Sequence, residues 1–129
     1  MIVGLQHIAI YTRDIDATKN FYVSGLGFRI TWEGMVRVKS GVALACTAVL
    51  GTCVLELVLP PNLNDVHNIA GPVQHFALQT NNLKETIVEL SKNGIAIIEP
   101  PEFITYEGGV NHAFIYGPSN ERIELFEKL

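Results

Sequence analysis

One stretch of this chain occurs twice. Val73-Gln74-His75-Phe76-Ala77-Leu78-Gln79-Thr80 repeats Leu5-Gln6-His7-Ile8-Ala9-Ile10-Tyr11-Thr12, with Gln, His, Ala and Thr in register at one offset (75 − 7 = 68). The same offset returns at the far ends of the two halves, where Leu55-Glu56-Leu57 answers to Ile123-Glu124-Leu125 (124 − 56 = 68). Each half therefore opens on a strand carrying a His and closes on a strand carrying a Glu. A duplicated chain places equivalent residues about a pseudo-two-fold axis. If both halves share one sheet or barrel, His7, Glu56, His75 and Glu124 can converge on one point, which makes them a candidate metal site.

The size fits that plan. A chain of 129 residues is expected to form a single domain. An apolar fraction of 48% with 17% charged residues supports a packed core and argues against disorder. A net charge of −4 and a pI near 5.5, with scattered Lys and Arg, leave no basic face for nucleic acid. No apolar run reaches the roughly 18 residues of a membrane span, and Met1-Ile2-Val3-Gly4 lacks the basic start of a signal peptide. A cytoplasmic address and a small-molecule substrate are expected. Cys46 and Cys53 flank a hairpin turn in apolar surroundings and read as reduced thiols, a cross-strand disulfide being the minor alternative.

Along the chain, residues 5–11 alternate as a strand with both faces covered. Asp14 caps a helix whose Ile15, Thr18, Phe21 and Tyr22 recur at helical spacing, and Gly25 and Gly27 stop it. Phe28–Trp32 reads as a second strand, part of Val36–Val49 as a third and Cys53–Leu59 as a fourth, ended by Pro60-Pro61. The polar stretch 61–72 reads as a linker. The second half repeats the plan: a strand at Val73–Gln79, then a helix from Asn82 with Glu85 at capping-box spacing. A short strand at Ile95–Ile98, halted by Pro100-Pro101, precedes strands at Val110–Tyr116 and Arg122–Phe126. The expected fold is α+β. Two β-α-β-β-β modules, about 1–60 and 73–129, pair into an open eight-stranded barrel with the helices outside.

Glu56 is the sharpest anomaly, because every neighbour in Cys53-Val54-Leu55-Glu56-Leu57-Val58-Leu59 is apolar. A carboxylate so placed needs a cation, a basic partner or water, since desolvating it alone costs several kcal/mol. Glu124 poses the same question, and neither strand is read as supplying a Lys or Arg to pair with its own Glu. Taken singly, a strand His is more often a core residue and a strand Glu a solvent-facing one. Four such residues in register across a repeat favour a metal. Two imidazoles and two carboxylates suit a borderline divalent ion in a roughly octahedral site: Ni²⁺, Co²⁺, Mn²⁺, Fe²⁺ or Zn²⁺. Of the remaining residues, His112 can touch substrate or serve as a half-buried strand histidine. His67 and Glu33 read as exposed. Gly108-Gly109 reads as a flap or a plain turn, and Phe21, Tyr22 and Phe28 as core.

At these residues the chain resembles the vicinal oxygen chelate superfamily of glyoxalases, bleomycin resistance proteins and dioxygenases. The resemblance runs through Gln6-His7-Ile8-Ala9, through Phe21-Tyr22 into Gly25-Leu26-Gly27-Phe28, and through Gly117-Pro118-Ser119-Asn120-Glu121-Arg122-Ile123-Glu124-Leu125. It implies paired modules around one metal, and a homodimer. The set His7, Glu56, His75 and Glu124 is most similar to that of short bacterial-type glyoxalase I (lactoylglutathione lyase), which implies a metal-dependent lyase. In that chemistry the metal holds two vicinal substrate oxygens and stabilises an enediolate, while Glu124 or Glu56, with Glu124 favoured, moves the proton. Two positions depart from the family. Tyr11 stands at the substrate-binding position where an Arg usually pairs with a glutathione carboxylate, and Pro60 stands where an Asn is usual. The alternatives are a methylmalonyl-CoA epimerase-like racemase and a resistance-type protein that binds a small ligand or antibiotic.

Overall fold

The computed structural model describes residue 1, residues 3–67 and residues 71–129. The chain divides into two compact units, Met1–His67 and Asn68–Leu129. In the first, β1 (Ile8–Tyr11) leads into α1 (Ile15–Asn20), a single π-turn (Phe21–Gly25), and then β2 (Arg29–Val38), β3 (Gly41–Leu50) and β4 (Cys53–Leu59). The second repeats this with β5 (Phe76–Gln79), α2 (Leu83–Lys92), β6 (Glu99–Ile104), β7 (Val110–Tyr116) and β8 (Arg122–Lys128). The sheets run β1-β4-β3-β2 and β5-β8-β7-β6; the pairs β1–β4 and β5–β8 are parallel and the other pairs among the described residues antiparallel. The α+β reading of two β-α-β-β-β modules holds. Part of the 61–72 linker, residues 68–70, lies outside the described residues.

The turn from first strand to helix is built twice from the same parts. Thr12 Oγ1 accepts from the Asp14 backbone N–H (3.0 Å), and Asp14 Oδ1 accepts from Ala17 N (2.9 Å). Thr18 Oγ1 donates to Asp14 O (2.9 Å) and meets the Thr12 hydroxyl at 2.8 Å. Thr80, Asn82 and Thr86 reproduce every one of these contacts, with Asn82 Oδ1 accepting from Glu85 N at 3.0 Å. The backbone N–H of Asn82 goes to Thr80 Oγ1 (3.1 Å), the group a capping-box Glu85 would otherwise reach back to serve. Replacing Asn82 by Ala removes the acceptor for an orphan N–H at the start of α2. A loss of about 1 kcal/mol is expected from the shift in a urea unfolding midpoint.

Four strands differ from expectation in their bounds, each for a backbone reason. Among the described residues β1 pairs with β4 alone, and their ladder begins at Ile8↔Leu55, so His7 stands just before the strand. His75 likewise precedes β5, whose ladder begins at Phe76↔Ile123. The strand expected at Ile95–Ile98 instead forms at Glu99–Ile104 and contains Pro100-Pro101. It lies on the sheet edge, and its ladder with β7 skips from Glu99 to Glu102, so neither proline needs a ladder N–H. The strand read at Phe28–Trp32 runs on to Val38 through a register shift between Ile30 and Trp32, and pairs with β3 across a two-residue turn. Gly51, at φ 56, opens the β3–β4 hairpin turn, where a left-handed residue suits a two-residue loop.

Alternation in β4 and β8 sorts the core from the site. Leu55, Leu57, Ile123 and Leu125 are buried on one face, and Glu56 and Glu124 project from the other. Tyr22 is fully buried and meets Phe21 and Phe28 edge-on at ring-centroid distances of 5.0 and 5.5 Å, as core packing requires. Cys46 and Cys53 are free thiols, and burial raises both above their ordinary pKa. Fewer thiolates at neutral pH mean slow alkylation. Thiol labelling of the native protein at neutral pH should lag well behind that of the urea-unfolded chain.

Candidate metal centre

The duplicated tripeptide Gln-His-X builds the same contact in each half. His7 Nδ1 is hydrogen-bonded to Gln6 Oε1, and its Nε2 lies 3.4 Å from Glu56 Oε2. His75 Nδ1 lies 2.5 Å from Gln74 Oε1, and its Nε2 lies 3.1 Å from Glu124 Oε2. Ala9 sits beside Glu56 in the β1–β4 ladder and Ala77 beside Glu124 in β5–β8. A small residue next to each carboxylate leaves the imidazole room to reach it. The four sequence-predicted ligands thus form two His–Glu pairs, one per half. Among the described residues no group of three or more His, Cys, Asp or Glu is arranged to hold a metal ion.

The two pairs differ in surroundings. Thr47 lies across from Glu56, with Ala45 two residues away on the same strand. Phe114 lies across from Glu124, and two residues away stands His112, whose Nδ1 is 2.8 Å from Glu124 Oε1. Glu124 therefore has an imidazole on each oxygen and a side chain only 11% exposed, against 32% for Glu56. His112 also has Glu102 4.0 Å from its Nε2. Sequence reasoning offered His112 two roles, and the structure ties it to the carboxylate.

Arg122 joins the site without a role assigned from the sequence. It stands two residues before Glu124, hence on the same sheet face, and strand parity alone could have marked it. Its guanidinium packs 3.6 Å over the Phe114 ring and donates to Glu99 Oε2 from Nε (3.1 Å) and to Gln74 Oε1 from Nη1 (2.9 Å). It thereby serves the second histidine's glutamine rather than Glu124.

Other predicted residues fall further out. Tyr11 is half-buried and packs on Ala43, Ala45 and Val58, continuing the face on which Glu56 stands. Pro60 is buried and His67 is exposed. Glu33 lies within β2, paired with Lys19 at 2.7 Å, and that contact raises the Lys19 pKa. Gly108 and Gly109 both take positive φ (94° and 117°), Gly108 closing a short 3₁₀ turn and Gly109 leading into β7.

With the fold and the paired histidines and glutamates in place, comparison with known proteins identifies the class. The chain belongs to the Glyoxalase/Bleomycin resistance protein/Dioxygenase superfamily, which it matches over residues 4–125. It is 29% identical to the uncharacterized protein YwkD of Bacillus subtilis (strain 168), over 99% of both chains. A glyoxalase family protein from Enterococcus faecalis superposes with a TM-score of 0.78 at 26% identity, covering 96% of this chain and 97% of that one. The fosfomycin resistance protein FosX from Listeria monocytogenes shares the fold with a TM-score of 0.76 at 15% identity, over 100% and 96% of the two chains. No helix among the described residues is long and apolar enough to cross a membrane.

Proposed function

We propose that the chain is a divalent-metal-dependent lyase of the glyoxalase I type, acting in the cytoplasm as a homodimer on a small substrate derived from a 2-oxoaldehyde. Both modules would then form one domain, with His7, Glu56, His75 and Glu124 holding one Ni, Co, Zn or Mn ion. The observation that carries this reading is the repeated facing of an imidazole Nε2 and a carboxylate oxygen at 3.1–3.4 Å. Where a neutral ring donates Nδ1–H to its glutamine, Nε2 presents a lone pair to an anionic oxygen. Two such acceptors repel unless a cation stands between them, either a metal ion or a proton on the ring. Imidazole and carboxylate are also the donor types a borderline ion takes.

The bound ion would supply Lewis acidity that stabilises negative charge growing on a substrate oxygen. The chain supplies the proton chemistry. Glu124, little exposed and steadied by His112, takes the proton from the carbon beside the carbonyl and returns it to the neighbouring carbon. The C–H bond broken on one carbon is replaced by one formed on the next, so no external oxidant or reductant is needed. Glu56 and His7 would serve as ligands to the same ion. Tyr11, half-buried against Ala45 and Val58, supplies no positive charge, and Pro60 offers no side-chain donor. This favours a thiol adduct whose carrier does not depend on a carboxylate contact.

Methylglyoxal premixed with glutathione, with small uncharged thiols, or with neither tests the substrate class. Turnover of a thiol adduct supports the proposal, with the uncharged thiols expected to compete well with glutathione. Turnover of 2-substituted acyl-CoA thioesters alone would favour the epimerase reading and contradict it. Stripping divalent metals with a chelator should abolish activity, and adding back Ni²⁺, Co²⁺, Mn²⁺ or Zn²⁺ should restore it.

A further inference from the structure

We infer that Arg122 is a positioning residue that sets the tautomer of His75 through the Gln74 side chain. The inference deepens the proposed metal site and rests on it for its purpose, though not for its geometry. An amide's O and N are told apart by their partners, and a guanidinium can only donate. Arg122 Nη1 lies 2.9 Å from one end of the Gln74 amide, so that end must be the carbonyl oxygen. The same oxygen lies 2.5 Å from His75 Nδ1. An oxygen already accepting from Arg122 can meet Nδ1 only as an acceptor, so Nδ1 carries the proton. In the neutral ring Nε2 is then bare.

This arrangement opposes the local preference. Glu124 Oε2 lies 3.1 Å from Nε2, and on its own it would favour a proton there. Free to turn, Gln74 could donate its NH₂ to Nδ1 and allow His75 to close onto Glu124 through an Nε2–H bond. Arg122 forbids that turn. Its own orientation is fixed by Glu99 Oε2 on Nε and Nη2 (3.1 and 2.5 Å) and by the Phe114 ring 3.6 Å beneath it. The lock keeps an Nε2 lone pair directed at the carboxylate, ready for a cation. In the first half Val54 occupies the equivalent position and cannot donate to Gln6, so His7 lacks this lock. The half with the less exposed carboxylate is the half that carries it.

The test is long-range ¹H–¹⁵N imidazole spectroscopy on metal-free, ¹⁵N-labelled full-length protein at about pH 8, above the ordinary histidine range. In the wild type, His75 Nδ1 should show the shift of a protonated ring nitrogen. In Arg122→Met, which keeps an apolar stem over Phe114, and in Gln74→Leu, that signal should move toward an unprotonated nitrogen while His7 stays unchanged. Adding Gln74→Glu to Arg122→Met should restore it, because a carboxylate can only accept. Zn²⁺ affinity, measured by chelator competition, should fall about 10-fold or more in Arg122→Met and recover in the double variant. An unprotonated Nδ1 in the wild type, or a protonated one retained in both single variants, would overturn the inference. Failure of the metal reading would show differently, as absent Zn²⁺ binding with the tautomer response intact.

Discussion

Glu124→Gln is expected to lower kcat by roughly 10²–10⁴-fold, the range typical of removing a general acid–base group. The amide keeps the size of the side chain but cannot take a proton from carbon. The fold should survive, because Glu124 projects from the face of β8 opposite the buried Ile123 and Leu125. Matching far-ultraviolet circular dichroism and an unchanged urea midpoint, together with lost turnover, would establish the role. Glu56→Gln should also be impaired, through weakened metal binding, so added metal should recover part of its activity. No such recovery is expected for Glu124→Gln. Near-wild-type turnover in Glu124→Gln would remove the proton-transfer assignment.

Leu57→Ala is expected to cost about 2–5 kcal/mol of stability, the span for truncating a fully buried leucine. Leu57 has 0% exposure. It lies in β4, flanked in the sheet by Ile10 on β1 and Cys46 on β3. The lost methyl groups would leave a cavity among strands whose positions are set by ladders on both sides, so little collapse is possible. A urea titration reads the effect as a lower midpoint with an unchanged slope. At temperatures where the variant remains folded, its metal content and turnover should stay close to wild type, because the adjacent Glu56 faces the other way. The pair of variants separates Leu57, which carries stability, from Glu124, which carries chemistry.

Much of this division was legible in the sequence because duplication and alternation are strong signals. The repeated Gln-His and the repeated apolar-Glu-apolar tripeptides mark the first and last strands of each half, and the capping residues Asp14 and Asn82 mark the helices. Ladder details were less visible. In the sequence Pro100-Pro101 reads as a strand end, because only pairing shows that β6 is an edge whose register skips both prolines. The long β2 was cut short because the register shift beyond Ile30 breaks the alternation a strand reading depends on. The surroundings of Glu124 were harder still. His112 reaches it diagonally from β7, and Arg122 acts through a glutamine 48 positions away in sequence. Neither relation follows from spacing along one strand. Both depend on register and side-chain direction, which the repeat leaves open because the halves differ there: Ala45 and Val54 against His112 and Arg122.

Whether the two His–Glu pairs hold one metal, as proposed, is read from the metal content of untagged protein. Elemental analysis of the wild type should find about one first-row divalent ion per chain, with His75→Ala and His7→Ala each losing most of it while remaining folded. Wild-type protein that contains no such metal and takes up none from added Ni²⁺, Co²⁺, Mn²⁺ or Zn²⁺ would contradict the claim. The superfamily fold would stand, and the chain would then be better described as a binder of small ligands.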